Sequence, residues 1–200
     1  MTVPVTKADA SPAEVQPGPR GFPLRDVYRG LRLVIFDVDG VLTDGRVALG
    51  QDGAESKFFD IRDGTGFTLL RMAGLETALL SGRFSHSTNA RARELQIPPE
   101  RVCQGVAAKL PAYQDMVRKA GLLDSQIAFV GDDIIDLPVL RKAGLACCPA
   151  DARPEVLAAA HAIAQAPGGR GAARLLCEHL LKQRLDGTWE RILEQYQEGA

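Results

Sequence analysis

Leu31-Arg32-Leu33-Val34-Ile35-Phe36-Asp37-Val38-Asp39-Gly40-Val41-Leu42-Thr43-Asp44 is the stretch whose reading decides the fold. Val34-Ile35-Phe36 is apolar without alternation, which predicts a strand buried on both faces, as in a parallel sheet. The run stops abruptly at two aspartates one residue apart, followed by glycine. Asp37 and Asp39 then fall at the carboxyl end of that strand, where open α/β sheets hold their ligands. Charge beside a buried run is unfavourable unless something pairs with it. Two carboxylates so placed are best explained by a bound cation.

Outward from this stretch, short apolar runs alternate with helical patterns. Before it, Met1 to about Pro23 is rich in Pro, Ala, Gly and charge, and reads as a flexible tail, residues 1–24. After it, Arg46 to Leu49, a Gly50-Gln51-Asp52-Gly53 turn and Ala54 to Ile61 predict a β-hairpin, an insertion over about 45–61. Its position between the first strand and first helix places it over the site as a flap. Gly66 to Ala73 predicts a short helix stopped by Gly74. Glu76 to Leu80 is the next strand, ending in Ser81-Gly82-Arg83, with Ser85 capping a helix to about Leu95. Val102 to Gln104 is a short strand, and Lys109 opens a helix to about Ala120. Gln126 to Val130 is a strand ending in Gly131-Asp132-Asp133, three residues before Asp136. Pro138 suits the first turn of the next helix. Leu145 to Cys148 is a further strand and Pro154 to His161 a further helix, while Ala162-Ile163-Ala164 is too short to assign. Gly168-Gly169-Arg170-Gly171 precedes a helix from Ala172 to about Leu185, and Thr188 to Tyr196 continues as a terminal helix in a tail over 186–200. This alternation predicts a three-layer, doubly wound, Rossmann-like parallel sheet in one domain over residues 25–185.

The bulk composition fits that fold. Of 200 residues, 46% are hydrophobic and 24% charged, and the formal net charge is −1. No basic excess points to nucleic acid or to an anionic membrane. No apolar run approaches the ~20 residues that span a bilayer, and the first residues lack an apolar signal-peptide core. Cys103, Cys147, Cys148 and Cys177 form no C-x-x-C pair and read as thiols in a reducing cytoplasm. His86, His161 and His179 are scattered, which argues against a histidine metal site.

Four strand ends carry polar signals: Asp37/Asp39, Ser81-Gly82-Arg83, the residues before Lys109, and Asp132/Asp133. Hydrolysis of a phosphate monoester needs these parts. A hard divalent cation such as Mg2+ takes a few carboxylates plus water and substrate; Asp37 and Asp132 offer carboxylates, and the Asp39 carbonyl a third oxygen. Asp37 is the candidate nucleophile, forming an aspartyl-phosphate. Asp39, two residues on and pointing the same way, is the candidate acid and base. The Ser81 hydroxyl and the amides after it can hold a phosphoryl group before a helix N-terminus. Lys109 steadies the phosphoryl and the nucleophile, and Asp133 and Asp136 orient metal-bound waters or Lys109.

Asp37-Val38-Asp39-Gly40-Val41, Ser81, Lys109 and Gly131-Asp132-Asp133-x-x-Asp136 resemble, in order, the four motifs of the haloacid dehalogenase-like phosphatases. Val38 to Gly45, Lys57 with Phe59, Arg62-Asp63-Gly64, Ser81-Gly82-Arg83, Gln104-Gly105 and Gly168 to Gly171 narrow the resemblance. They look like the 3-deoxy-D-manno-octulosonate 8-phosphate phosphatase branch, over about Leu31 to Leu181. The resemblance implies a capless fold with a small hairpin insertion, and a cytoplasmic homotetramer in which a neighbouring subunit helps close each site. By position, Asp60, Ile61, Arg62, Asp63, Gly64, Thr68, Arg83 and Arg91 match substrate-contacting residues, beside Asp39 and Lys109. Arg170 would lie on a C-terminal segment that folds over a site. Ser81 stands where threonine is common, which keeps the hydroxyl. The implied substrate is a 2-keto-3-deoxy sugar-acid phosphate of lipopolysaccharide sugar biosynthesis, and guanidinium groups suit its carboxylate. A nine-carbon acylneuraminate 9-phosphate, or its deaminated relative, is the alternative substrate. A non-catalytic scaffold is the alternative class, against which the intact set of acids argues.

Overall fold

The computed structural model describes residues 15–51, 53–184 and 188–198. In chain order its elements are β1 (Val15–Pro17), α1 (Arg25–Gly30), β2 (Leu33–Phe36), β3 (Ala48–Leu49), β4 (Glu55–Ser56), α2 (Arg62–Met72), β5 (Glu76–Leu80), α3 (His86–Glu94) and β6 (Val102–Cys103). They continue with α4 (Lys109–Ala120), β7 (Ile127–Val130), α5 (Leu137–Leu140), β8 (Leu145–Cys148), α6 (Pro154–Ala159), β9 (Ala162–Ala164), α7 (Ala172–Arg184) and α8 (Thr188–Glu198). No helix among the described residues is long and apolar enough to cross a membrane.

Seven strands form one sheet in the order β1-β9-β8-β7-β2-β5-β6. All neighbours are parallel except β1, which runs antiparallel to β9. The first parallel strand, β2, lies between β5 and β7, so the chain winds away from β2 in one direction and then returns to build the other. The carboxyl end of β2 is therefore the switch point at which such sheets form a crevice. Side chains alternate across β2. Val34 and Phe36 pack with α1, α2, α7 and α8 on one face, while Leu33 and Ile35 pack with α4, α5 and α6 on the other. All four are fully buried, as the unbroken apolar run predicts.

The local reasons for the flanking helices are visible in the chain. Ser85 caps α3 by accepting from the Ser87 amide. In α4, Lys109, Tyr113, Met116 and Val117 recur at helical spacing on the buried face. Lys109 is thus carried inward at the helix start instead of into solvent. The hairpin forms as expected, with Ala48 opposite Ser56 and Leu49 opposite Glu55; Asp52 of its turn lies outside the described residues.

Several expectations need correction. Val15–Pro17, assigned to the flexible tail, is an edge strand pairing Val15 with Ala164 and Pro17 with Ala162. Three residues ending in proline show no periodicity, yet a sheet edge accommodates a residue without an N–H. The next residue, Gly18, is required there, since a Cβ would meet the Ala160 carbonyl oxygen at 2.3 Å. Residues 1–14 of the expected tail, and Leu185 at the expected helix end, lie outside the described residues. The unassigned Ala162-Ile163-Ala164 is β9. Helix α2 begins at Arg62, four residues early, because Gly64 and Gly66 mask its pattern. Beyond it, α8 is seated on the core through buried Ile192. The cysteines are free thiols, with Cys147, Cys148 and Cys177 buried.

Candidate active site

Three loops converge at the carboxyl ends of β2, β5 and β7. Asp37 follows β2 directly, its amide donating to the Val130 carbonyl of β7 at 2.9 Å, and is 4% exposed. Lys109, at the first turn of α4, reaches Asp37 Oδ1 at 2.8 Å and Asp136 Oδ1 at 2.6 Å. The second Asp136 oxygen accepts from the amides of Asp132 and Asp133 at 3.0 and 3.2 Å. Asp136 is therefore a brace: one oxygen fixes the lysine and the other fixes the turn that carries Asp132. Asp133 uses its carboxylate to cap the Ile134 amide at 2.7 Å. Of the two acids expected to orient Lys109, Asp136 is the one that contacts it.

Oxygen atoms of Asp37, Asp132 and Asp136 lie within 4.8 Å of one another. Burial pushes the Asp37 and Asp132 carboxyls well above the ordinary carboxylate range, and for Asp132 the charges of Asp37 and Asp136 add to it. Burial also disfavours the Lys109 charge, but Asp37 and Asp136 outweigh this and raise its pKa. Three acids around one lysine leave the cluster short of positive charge. Among the described residues, buried Asp132 Oδ1 has no hydrogen-bond partner. An unpartnered carboxylate oxygen in an oxygen-rich, electron-rich pocket suits a hard divalent cation. Asp136, with both oxygens engaged, is the least available ligand of the three. Gly40 closes this corner at φ +92°, and a Cβ there would fall 2.1 Å from Asp132 Oδ2. Thr43 staples the same loop through its hydroxyl, which contacts the Val38 carbonyl at 3.4 Å and the Gly45 amide at 3.2 Å. The sequence offered no signal for that staple beyond a threonine near a glycine.

Ser81 is buried at the end of β5, its hydroxyl donating to the Arg83 carbonyl at 2.9 Å and accepting from the Arg83 amide at 3.2 Å. Asp39 is partly exposed and contacts Lys57, which the sequence reading placed on the hairpin without a role. Arg83 pairs through Nε with Glu55 of the hairpin at 2.6 Å.

The expected substrate residues divide into groups. Asp60, Arg62 and Arg170 line a cavity of about 320 Å³ together with Asp44, Arg46, Phe58, Phe59 and Gly169. There Arg62 holds the Asp60 carboxyl below its usual range, mainly by hydrogen bonding to it, and reaches the Arg170 carbonyl at 3.2 Å. Ile61 beside it is 82% exposed. Arg91 is buried, donates to the Asp60 carbonyl at 2.8 Å and lies over the Phe59 ring. Gly64 sits opposite Arg91 and Leu95. Asp63 and Thr68 are turned elsewhere within this chain. Asp63 is buried and accepts from the Arg174 amide in the first turn of α7 at 3.0 Å, with burial raising its carboxyl to about 6. It serves as a cap borrowed from another helix, because α2 and α7 pack side by side. Thr68 bonds the Gly64 carbonyl of its own helix at 3.2 Å.

Residues 100–176 match the family model of haloacid dehalogenase-like hydrolases. The 3-deoxy-D-manno-octulosonate 8-phosphate phosphatase KdsC of Escherichia coli K12 is 38% identical over 177 residues, 88% of this chain and 93% of that protein. Among solved structures, a probable YrbI family phosphatase from Pseudomonas syringae superposes with a TM-score of 0.81 at 40% identity, covering 88% of this chain and 98% of that one. A 3-deoxy-D-manno-octulosonate 8-phosphate phosphatase from Moraxella catarrhalis, crystallised with magnesium ion, phosphate ion and KDO, superposes with a TM-score of 0.80. It is 31% identical and covers 87% of this chain and 99% of that one.

Proposed function

The chain belongs to the haloacid dehalogenase-like hydrolases, among the 3-deoxy-D-manno-octulosonate 8-phosphate phosphatases, and from this premise we propose that it hydrolyses that eight-carbon sugar-acid phosphate with Mg2+. As a member it is a phosphoric monoester hydrolase. The observation that carries the finer reading is the buried cluster in which Lys109 bridges Asp37 and Asp136 while an Asp132 oxygen has no partner.

The Asp37 and Asp132 carboxylates and the Asp39 carbonyl would hold the metal, which when bound neutralises charge on the phosphoryl oxygens. Asp37 attacks phosphorus as the ester P–O bond breaks, giving an aspartyl-phosphate. Asp39 gives its proton to the departing sugar oxygen, then takes one from the water that attacks the aspartyl-phosphate. Lys109, fixed by Asp136, offers a permanent positive charge to the nucleophile and to the phosphoryl oxygens. Ser81 and the amides beyond it would grip the phosphoryl once the hydroxyl leaves the Arg83 carbonyl. The cavity lined by Arg46, Arg62 and Arg170 suits the substrate's carboxylate, as does the Arg83 guanidinium. The Moraxella relative, with its bound magnesium, phosphate and KDO, supports the same assignment.

In this reading the enzyme works in the cytoplasm as a homotetramer. Leu49, Phe58 and Ile61, on and beside the hairpin, are 69%, 76% and 82% exposed, an apolar surface that a second subunit would cover. The test is phosphate release from the 8-phosphate and from an acylneuraminate 9-phosphate, each with Mg2+ and with chelator. Metal-dependent turnover at least tenfold faster on the eight-carbon substrate supports the proposal. Preference for the nine-carbon compound would reassign the substrate, and no turnover on either would point to a scaffold.

A further inference from the structure

Lys57 has no part in the mechanism above, yet it lies against Asp39. Its side chain is fully buried, although it belongs to the hairpin and follows β4 directly. Nζ donates to Asp39 Oδ2 at 2.9 Å and lies 2.7 Å from Oδ1. Its other neighbours are Glu55 Oε1 at 3.4 Å and the Thr88 hydroxyl at 3.5 Å. A buried ammonium requires such partners, so neutralising charge is one thing Lys57 does. The arrangement does more than that. The Lys57 ammonium lies against both Asp39 oxygens, at 2.9 Å from Oδ2 and 2.7 Å from Oδ1, so it holds the carboxylate in a single orientation.

The same contacts tie Asp39 to the hairpin. Glu55 pairs with Arg83 through its second oxygen at 2.6 Å, and its carbonyl accepts from the Ser87 hydroxyl at 2.8 Å. The returning strand is thus docked on the start of α3, just beyond Ser81-Gly82-Arg83. Lys57 reaches Asp39 because of that docking.

We propose that Lys57 is a positioning residue: it holds the Asp39 carboxylate in the orientation that moves the proton, and makes that orientation depend on a docked hairpin. This rests on Asp39 being the acid and base. Lys57 acts through Asp39 alone, so its effect vanishes when Asp39 can no longer transfer a proton. Displacing a catalytic group by about 1 Å can slow turnover by ~10²-fold.

The test is a double-mutant cycle of Lys57→Met and Asp39→Asn, read as kcat and KM on the octulosonate 8-phosphate and on p-nitrophenyl phosphate. The nitrophenolate departs with little help from an acid, so on this compound Asp39 is needed only as the base of the second step. On the 8-phosphate, Lys57→Met is expected to lower kcat roughly 30- to 100-fold with little change in KM, and to add under about threefold in the Asp39→Asn background. On p-nitrophenyl phosphate the first loss should be smaller. Effects that multiply, a raised KM at unchanged kcat, or a kcat within about threefold of wild type would each overturn the proposal. If circular dichroism shows that Lys57→Met does not fold, the cycle is run with Lys57→Gln, to which the same outcomes apply. A wild-type enzyme active only on p-nitrophenyl phosphate would refute the substrate reading instead, and the cycle on that compound would still judge Lys57.

Discussion

Replacing Gly168 by alanine would place a Cβ 1.8 Å from the Gly40 carbonyl oxygen, 2.5 Å from its carbon and 3.0 Å from the Thr43 oxygen. Ordinary contact begins near 3.4 Å, so the Gly168–Gly171 loop and the loop after β2 must separate by roughly 1.5 Å. The Gly169 amide donates to the Val41 carbonyl at 3.0 Å, and that bond cannot survive the separation. Its loss costs about 1 kcal/mol, and overpacking adds about 1–3 kcal/mol. For a chain of this size, the resulting ~2–4 kcal/mol corresponds to a fall in Tm of roughly 5–15 °C. Because Gly40 follows Asp39, a shift of this size should also lower kcat/KM by about 10- to 100-fold. The assay is thermal denaturation by circular dichroism together with phosphate release. Gly30→Ala is the control, since nothing lies within 4 Å of its Cβ position and its φ is ordinary. A Gly168→Ala protein with wild-type Tm and activity would refute the idea that the glycine-rich loop is docked on the catalytic loop.

Lys109→Met leaves Asp37 and Asp136 without their shared cation; it should destabilise the protein by about 3–5 kcal/mol and slow phosphate release by at least ~10²-fold. A denaturant titration and steady-state assay check both, and near-normal values would show that the lysine is peripheral. Burial lowers the pKa of His161 and of His179 from 6.5 to about 4, so the unfolded chain binds protons there that the folded chain refuses. Stability from these groups is intact above pH 6.5 and is lost as pH falls towards 4, by about 2 kcal/mol each between pH 7 and pH 5. Urea melts of wild type and His161→Asn should show a shallower acid loss in the variant, and parallel curves would contradict the assignment. Phe58→Glu puts charge on the exposed hairpin face and should shift the assembly to smaller species in light scattering, whereas an unchanged mass would exclude Phe58 from the interface.

The parallel sheet was legible because β2, β7 and β8 are unbroken apolar runs, the first two ending in aspartates, a pattern that few structures other than a buried strand satisfy. The clustering of acids was legible for the same reason: Asp37 and Asp132 stand at strand ends, and strand ends are readable. What escaped was whatever depends on distant segments meeting. Val15–Pro17 becomes a strand only because β9 offers it an edge. That Asp63 accepts from the Arg174 amide follows from the packing of α2 against α7, which no local pattern announces. Lys57 lies 18 residues from Asp39 and meets it only after the hairpin folds back. Sequence spacing has no means of expressing such a contact. Asp136 and Asp133 are equivalent in the chain as nearby acids, and only the three-dimensional turn assigns one to Lys109 and the other to capping Ile134.

The central claim is that Asp37 is the nucleophile of a metal-dependent phosphatase. The most direct measurement is phosphate release from the octulosonate 8-phosphate by Asp37→Asn, with Mg2+ present and with folding confirmed by circular dichroism. The account predicts that turnover falls to background while the folded spectrum is retained. An Asp37→Asn enzyme that kept full activity would contradict it.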